Sequence, residues 1–230
     1  MEIKYLPFPQ GKFFYLFVSL LLLLFMYPFF AETVVGLILL DIFFTAALLF
    51  GIYIISSNRH ILIICVVLGI PSLGGKLLTY FVSDSIFMKV GYITATILFI
   101  FMAGVILMYV LRSKKVMVDT IYGAICVYFL IGIAWAFLYS AIEAFSPGSF
   151  LIGENQIEST MRRLPQFIYY SFVTLTSLGL GDISPVRYVS RSFTYLEAIT
   201  GQFYMLILIA RLVGLHIAGS LNRDKEKKRD

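Results

Sequence analysis

The sequence predicts an all-α integral membrane protein whose subunit carries six transmembrane helices, a short re-entrant helix and an extended strand. Three observations carry that prediction. First, 60% of the 230 residues are hydrophobic and 13% charged, with mean hydropathy +0.92, too little polar surface to cover a soluble domain. Second, the apolar runs are continuous and leucine-rich, whereas an outer-membrane barrel needs alternation. Third, the one long connection, from about Ser146 to Arg191, contains Gly179-Leu-Gly181 and lies between two runs long enough to cross a bilayer.

Six apolar runs are each near the ~20 residues a hydrocarbon core requires. They are Phe13–Phe30, Thr33–Ser56, Ile61–Phe81, Ile86–Arg112, Val116–Phe145 and Ser192–Ala218. The breaks carrying Lys4 and Lys12, Arg59, Arg112 with Lys114 and Lys115, and Arg223 to Arg229 fall on one side. The opposite short turns carry Glu32 and Asp84, so both termini are expected in the cytoplasm. Arg162, Arg163, Arg187 and Arg191 break this pattern, but they lie in the long connection, where the charge rule is weak. The first run is longer than the ~7–15 residues of a signal-peptide core, and Phe29-Phe30-Ala31 is a poor cleavage site, so a retained helix is expected.

The formal charge of +5 does not point to nucleic acid, because the basic residues sit at the ends of apolar spans. Cys65 and Cys126 lie inside apolar runs and read as buried, inert thiols. A voltage sensor needs several cations on one helix, each transferred charge being worth about 2.3 kcal/mol per 100 mV. The fourth run has only Lys89 and Arg112, at its two ends. Residues 1–115 therefore read as a four-helix transmembrane domain without a charged voltage sensor.

Leu164–Thr176 reads as one short helix with Pro165 in its first turn, where a missing N–H costs nothing. At about 1.5 Å per residue it reaches roughly half-way into a bilayer and presents its carbonyl pole there. Ser177–Asp182 then returns as an extended strand, tolerated at that depth only if it is enclosed by protein or lines water. Glycines at alternate positions free the strand to turn successive carbonyls to one side. Four copies around an axis replace the water of a bare cation, so backbone carbonyls of Ser177, Leu178, Gly179 and Leu180 are expected to hold the permeant cations, with no other cofactor. One strand per chain makes a homotetramer with C4 symmetry obligatory.

Thr176-Ser-Leu-Gly-Leu-Gly-Asp182 resembles the selectivity filter of potassium channels, whose usual form is Thr-Thr-Val-Gly-Tyr-Gly-Asp. Pro185 follows Asp182 by three residues and Gly201 by nineteen, as the family's hinge glycine does. Tyr169 and Tyr170 occupy the aromatic pair that braces such filters. The run from Tyr195 to His216 is similar to the inner helix of small prokaryotic ion channels. The resemblance covers about Val116–Ser220 and implies a pore domain over residues 116–221, followed by a short basic cytoplasmic tail over 222–230, in a bacterial inner membrane. Filter support is then assigned to Tyr169, Tyr170, Val173 and Glu197. Two departures stand out. Ser177 replaces a threonine but keeps the hydroxyl, and Leu180 replaces the tyrosine between the glycines. Leucine has no hydroxyl to give, so any stiffening from Tyr169 and Tyr170 is expected from packing alone, with weaker discrimination against sodium.

Below Gly201, steps of three and four give Gln202, Met205, Ile209, Val213 and Ile217 as the pore-lining face, the last three forming a hydrophobic constriction. Asp41 with Lys76, and Asp119 with Arg211, are expected as intramembrane salt bridges. Glu143, Glu154, Glu158 and Asp182 fall near the outer mouth, as a cation-concentrating ring or as ordinary loop solubility. His60 reads as a loop residue and His216 as interfacial. The ten residues after Ser220 leave no room for a ligand-binding domain, so lipid, tension, pH or an unidentified regulatory partner is left as the stimulus. The predicted function is a passive, potassium-preferring cation channel, not an enzyme, with membrane lipid and monovalent cations as its partners. Its competitors are a nonselective cation channel on the same scaffold, a secondary transporter using Asp41 and Lys76, and a non-conducting membrane subunit with a relic filter. A transporter would show interruptions in both halves, and only one re-entrant segment is found.

Overall fold

The computed structural model describes residues 11–30, 36, 59–79, 86–113, 117–152, 155–156 and 163–227. Within them the chain forms α1 (Lys12–Phe30), α2 (Arg59–Thr79), α3 (Ile86–Arg112), α4 (Val118–Phe145), β1 (Phe150–Ile152), β2 (Asn155–Gln156), α5 (Arg163–Leu175), β3 (Ile183–Pro185) and α6 (Tyr188–Lys227). The fourth predicted run and α3 coincide, and α4 starts two residues after the predicted Val116. The second predicted run, with Asp41, lies outside the described residues except for Gly36. Among the described residues, α3, α4 and Tyr188–Arg211 of α6 are long and apolar enough to cross a membrane, while Phe13–Met26 and His60–Gly75 are shorter apolar stretches.

These helices form because an apolar medium leaves the backbone no partner but itself, and their uninterrupted Leu, Ile and Phe offer no competing polar group. The centre of the bundle is α4, which packs against α1, α3, α5 and α6. Its small residues, Gly123, Ala124, Gly132, Ala134 and Ala136, are buried and let its neighbours come close. Phe99 of α3 stacks on Phe137 of α4 with ring centroids 5.2 Å apart. The crossing of α2 and α3 is closer still: a Cβ at Gly75 would lie 2.3 Å from the carbonyl oxygen of Phe87.

Asp119 and Arg211 do not pair; each serves the end of a helix from the preceding bundle. Asp119 Oδ1 accepts the backbone N–H of Phe13 at 3.0 Å, in the first turn of α1, where a carboxylate meets the positive end of the helix dipole. A side chain at Gly11 would collide with that carboxylate. Arg211 donates through Nη2 to the carbonyls of Leu111 and Ser113, the latter at 3.1 Å, at the negative end of α3. Opposite charges on α4 and α6 thus find helix poles as their partners. Asp119→Ala is expected to lower stability by about 1 kcal/mol, the usual cost of losing an N-cap, seen as a lower midpoint of thermal unfolding. An unchanged midpoint would show the α1 contact to be incidental.

The long connection is tied down by a small sheet of order β2-β1-β3, antiparallel throughout, with Leu151 opposite Gln156 on one side and Ser184 on the other. Phe150 of β1 enters a buried aromatic cluster with Tyr139, Phe167 and Tyr170, its ring centroid 5.3, 4.9 and 5.5 Å from theirs. Glu143 is neither a mouth carboxylate nor a soluble loop residue: it is buried, and its two oxygens accept the N–H groups of Gly148, Ser149 and Phe150 at 2.7, 2.9 and 3.1 Å. Arg187 binds Ser146 Oγ and the Pro147 carbonyl, and Arg191 the Pro185 carbonyl, which accounts for basic residues on this side. Lys89 at the start of α3 lies over the ring of Phe145 at the end of α4, so both ends face the same way.

Candidate functional site

Three elements bring the site together. Pro165 sits in the first turn of α5, and the helix ends at Leu175, one residue short of the expected end. The chain then folds back over its C-terminus. Thr176 N–H reaches the Phe172 carbonyl at 3.1 Å, Ser177 the Thr174 carbonyl at 2.8 Å, and Leu178 and Gly179 share the Val173 carbonyl at 2.9 and 3.3 Å. The amides of Thr176–Gly179 are thereby spent on α5. Their carbonyls are a different matter: among the described residues, the backbone oxygens of Ser177, Leu178, Gly179 and Leu180 accept no hydrogen bond from protein.

Positive φ recurs at every second residue: 57° at Ser177, 58° at Gly179 and 80° at Gly181. An ordinary strand points successive carbonyls to opposite sides; a left-handed residue at alternate positions rotates the peptide back. The two glycines adopt this without penalty, whereas Ser177 accepts a cost of about 1–2 kcal/mol. Gln202 of α6 donates to Ser177 Oγ at 2.9 Å, directly beneath the segment.

Tyr169 lies beside the Asp182 carboxylate, and Tyr170 OH meets Thr194 Oγ1 of α6 at 2.7 Å. Leu180 itself is 58% exposed. Within one subunit no cuff encloses it. Behind the segment lies a cavity of about 310 Å³, lined by Tyr170, Val173, Thr174, Thr194 and Ala198.

Gly201 stands where α5 meets α6. A Cβ there would lie 2.1 Å from the Leu175 carbonyl oxygen, which also accepts the Tyr128 hydroxyl at 3.3 Å. The α6 helix runs through Gly201 without a break. Glu197, one turn earlier, is fully buried and is held by Tyr139 of α4 and Ser171 of α5, each at 2.5 Å. Met205, Ile209 and Val213 are exposed, as are Phe203, Leu206 and Ile207, so exposure alone does not select a face. The Gln202 bond does: Met205, Ile209 and Val213 follow it at three, seven and eleven residues and share its face. The side chain of Ile217, and Glu154 and Glu158, lie outside what is described. Tyr128, Tyr139, Ser171, Thr194 and Tyr204 were not singled out by sequence reasoning. Their signal is a hydroxyl inside an apolar run, which has to find a partner from another helix.

Residues 123–216, from the middle of α4 through α6, match the model of a family described as Ion channel. The matched stretch, less than half of the chain, is similar to that family, which supports an ion-channel function in a helical membrane protein and not an enzyme. No curated protein and no solved structure gave a match.

Proposed function

We propose that the chain is one subunit of a homotetrameric, potassium-preferring cation channel of a bacterial inner membrane. Each subunit contributes six helices with cytoplasmic termini, the first four forming a unit over residues 1–115 and the pore following over 116–221. The observation that carries this reading is the row of four carbonyls at Ser177–Leu180 that meet no donor among the described residues, beside a backbone that turns left-handed at every second residue. Such oxygens are costly anywhere except against water or a cation. Assembly is supported by α6: 11% of its apolar window is buried within the subunit, against 56% for α4. Below the filter, Gln202, Met205, Ile209, Val213 and Ile217 line the path, Gly201 lets α6 approach the pore helix, and Ile209 to Ile217 form the constriction.

Purified protein in liposomes under potassium and then sodium gradients tests the reading: passive flux in the potassium gradient is expected. Equal fluxes in the two gradients would favour a nonselective pore, flux dependent on a coupling ion a transporter, and none in either a non-conducting subunit. The lack of a hydroxyl at Leu180 favours modest selectivity. Leu180→Tyr, which restores a hydroxyl between the glycines, is expected to shift the reversal potential under mixed ions toward potassium. Identical permeability ratios for the two proteins would remove Leu180 as the determinant.

A further inference from the structure

Glu197 sits at the meeting point of the outer, pore and inner helices, and the hydrogens around it can be counted. Its Oε2 lies 2.5 Å from Tyr139 OH and its Oε1 2.5 Å from Ser171 Oγ, while Ser171 Oγ lies 2.6 Å from the carbonyl oxygen of Gly132. All three are O–H···O distances. A backbone carbonyl only accepts, an ionised carboxylate only accepts, and each hydroxyl owns a single hydrogen. Two hydroxyls therefore supply two hydrogens for three contacts. With an ionised Glu197, Ser171 can serve Gly132 or the carboxylate but not both, and two acceptor oxygens face each other with nothing between. The Phe193 carbonyl, 3.4 Å from Tyr139, is too distant to compete.

Among the described residues, no cation neutralises the carboxyl. The titratable groups that act on it are Tyr128 and Tyr139 from α4 and Tyr170 from α5, and its hydrogen-bond partners are Ser171 and Tyr139. An unpaired carboxylate enclosed there would bear a desolvation cost with no compensating charge.

We infer that Glu197 carries a proton on Oε1 and acts as a neutral positioning group that fixes the pore helix against the outer and inner helices. The chain then closes in one direction: Tyr139 O–H donates to Oε2, Oε1–H to Ser171 Oγ, and Ser171 O–H to the Gly132 carbonyl. It begins and ends on α4, at residues seven apart and so on one face. Gly132 permits the last step, because a Cβ there would meet the Phe172 ring at 2.9 Å. The proton assignment stands on this geometry; its importance for conduction rests on the channel reading above.

Infrared spectra of the purified protein at neutral pH, wild type minus Glu197→Gln, test the assignment. The expected result is loss of a neutral carboxylic-acid carbonyl band. Glutamine offers N–H to Ser171 and C=O to Tyr139, so it is expected to leave thermal unfolding and potassium flux close to wild type. Glu197→Ala should lower flux about tenfold or more, as expected when buried hydroxyls lose their partner. A difference spectrum holding only carboxylate bands, or a glutamine variant as damaged as the alanine one, overturns the proposal. If the wild type itself passes no potassium, the channel reading falls, while the spectrum still decides the proton.

Discussion

Glu143→Ala is expected to be the most damaging single substitution outside the filter. It strips partners from three N–H groups at once, and the carboxylate is buried to 1% exposure, so water cannot replace it. Each orphaned buried donor costs about 1–3 kcal/mol. The losses are not additive, because the freed loop relaxes, and a net loss of about 3–5 kcal/mol is expected, similar to breaking a buried pair. The consequence reaches the filter. Ser149 to Ile152 carry β1, β1 pairs with β3, and β3 begins one residue after Asp182. Thermal or detergent unfolding should show a strongly destabilised protein. Glu143→Gln should fall between, since its one remaining oxygen can keep Ser149 and Phe150 while its amide group confronts the Gly148 N–H. Stability of the alanine variant within about 1 kcal/mol of wild type, the worth of one ordinary hydrogen bond, would show that the loop has another anchor.

Gly201→Ala is expected to abolish potassium flux. The added Cβ would lie 2.1 Å from a backbone carbonyl, and no rotamer change can move that atom aside. Either α6 or the end of α5 has to shift, at about 1–3 kcal/mol for an overpacked contact. The Leu175 carbonyl belongs to the last turn of α5, whose Phe172, Val173 and Thr174 carbonyls hold the amides of Thr176–Gly179. A displacement there is passed directly to the four free oxygens. Flux into potassium-loaded liposomes and unfolding should both respond; normal flux would mean the two helices separate at no cost to the filter.

Helices and the filter stretch were legible in the sequence for simple reasons. Apolar length writes itself into consecutive residues, as in Ile86–Arg112, and Gly179 and Gly181 mark a backbone no other residue adopts freely. The small sheet was not legible. Its strands are two or three residues long, and Leu151 finds Ser184 only after an intervening helix has been placed. Asp119 and Arg211 misled for a related reason: opposite charges at one depth suggest each other, whereas the poles of α1 and α3 are properties of finished helices. Glu143 reads as solvent-facing because it borders a loop, and nothing in the letters of Gly148, Ser149 and Phe150 announces three backbone donors. Glu197 was assigned to filter support from its place one turn before Gly201, yet Ser171 and Tyr139 became visible as its partners only in three dimensions.

The hydrogen-bonded circuit that leaves α4 at Tyr139 and returns to it at Gly132 has an architectural corollary. Since the outer helix alone supplies both terminals, the circuit closes within α4, α5 and the first half of α6 and takes nothing from α1 to α3. What precedes is joined to it by two charged ties, Asp119 at the start of α1 and Arg211 at the end of α3, and by the packing of α1 and α3 on α4. Front helices of another kind would leave this circuit untouched only if they presented one helix beginning to Asp119, one helix ending to Arg211 and an apolar face to α4.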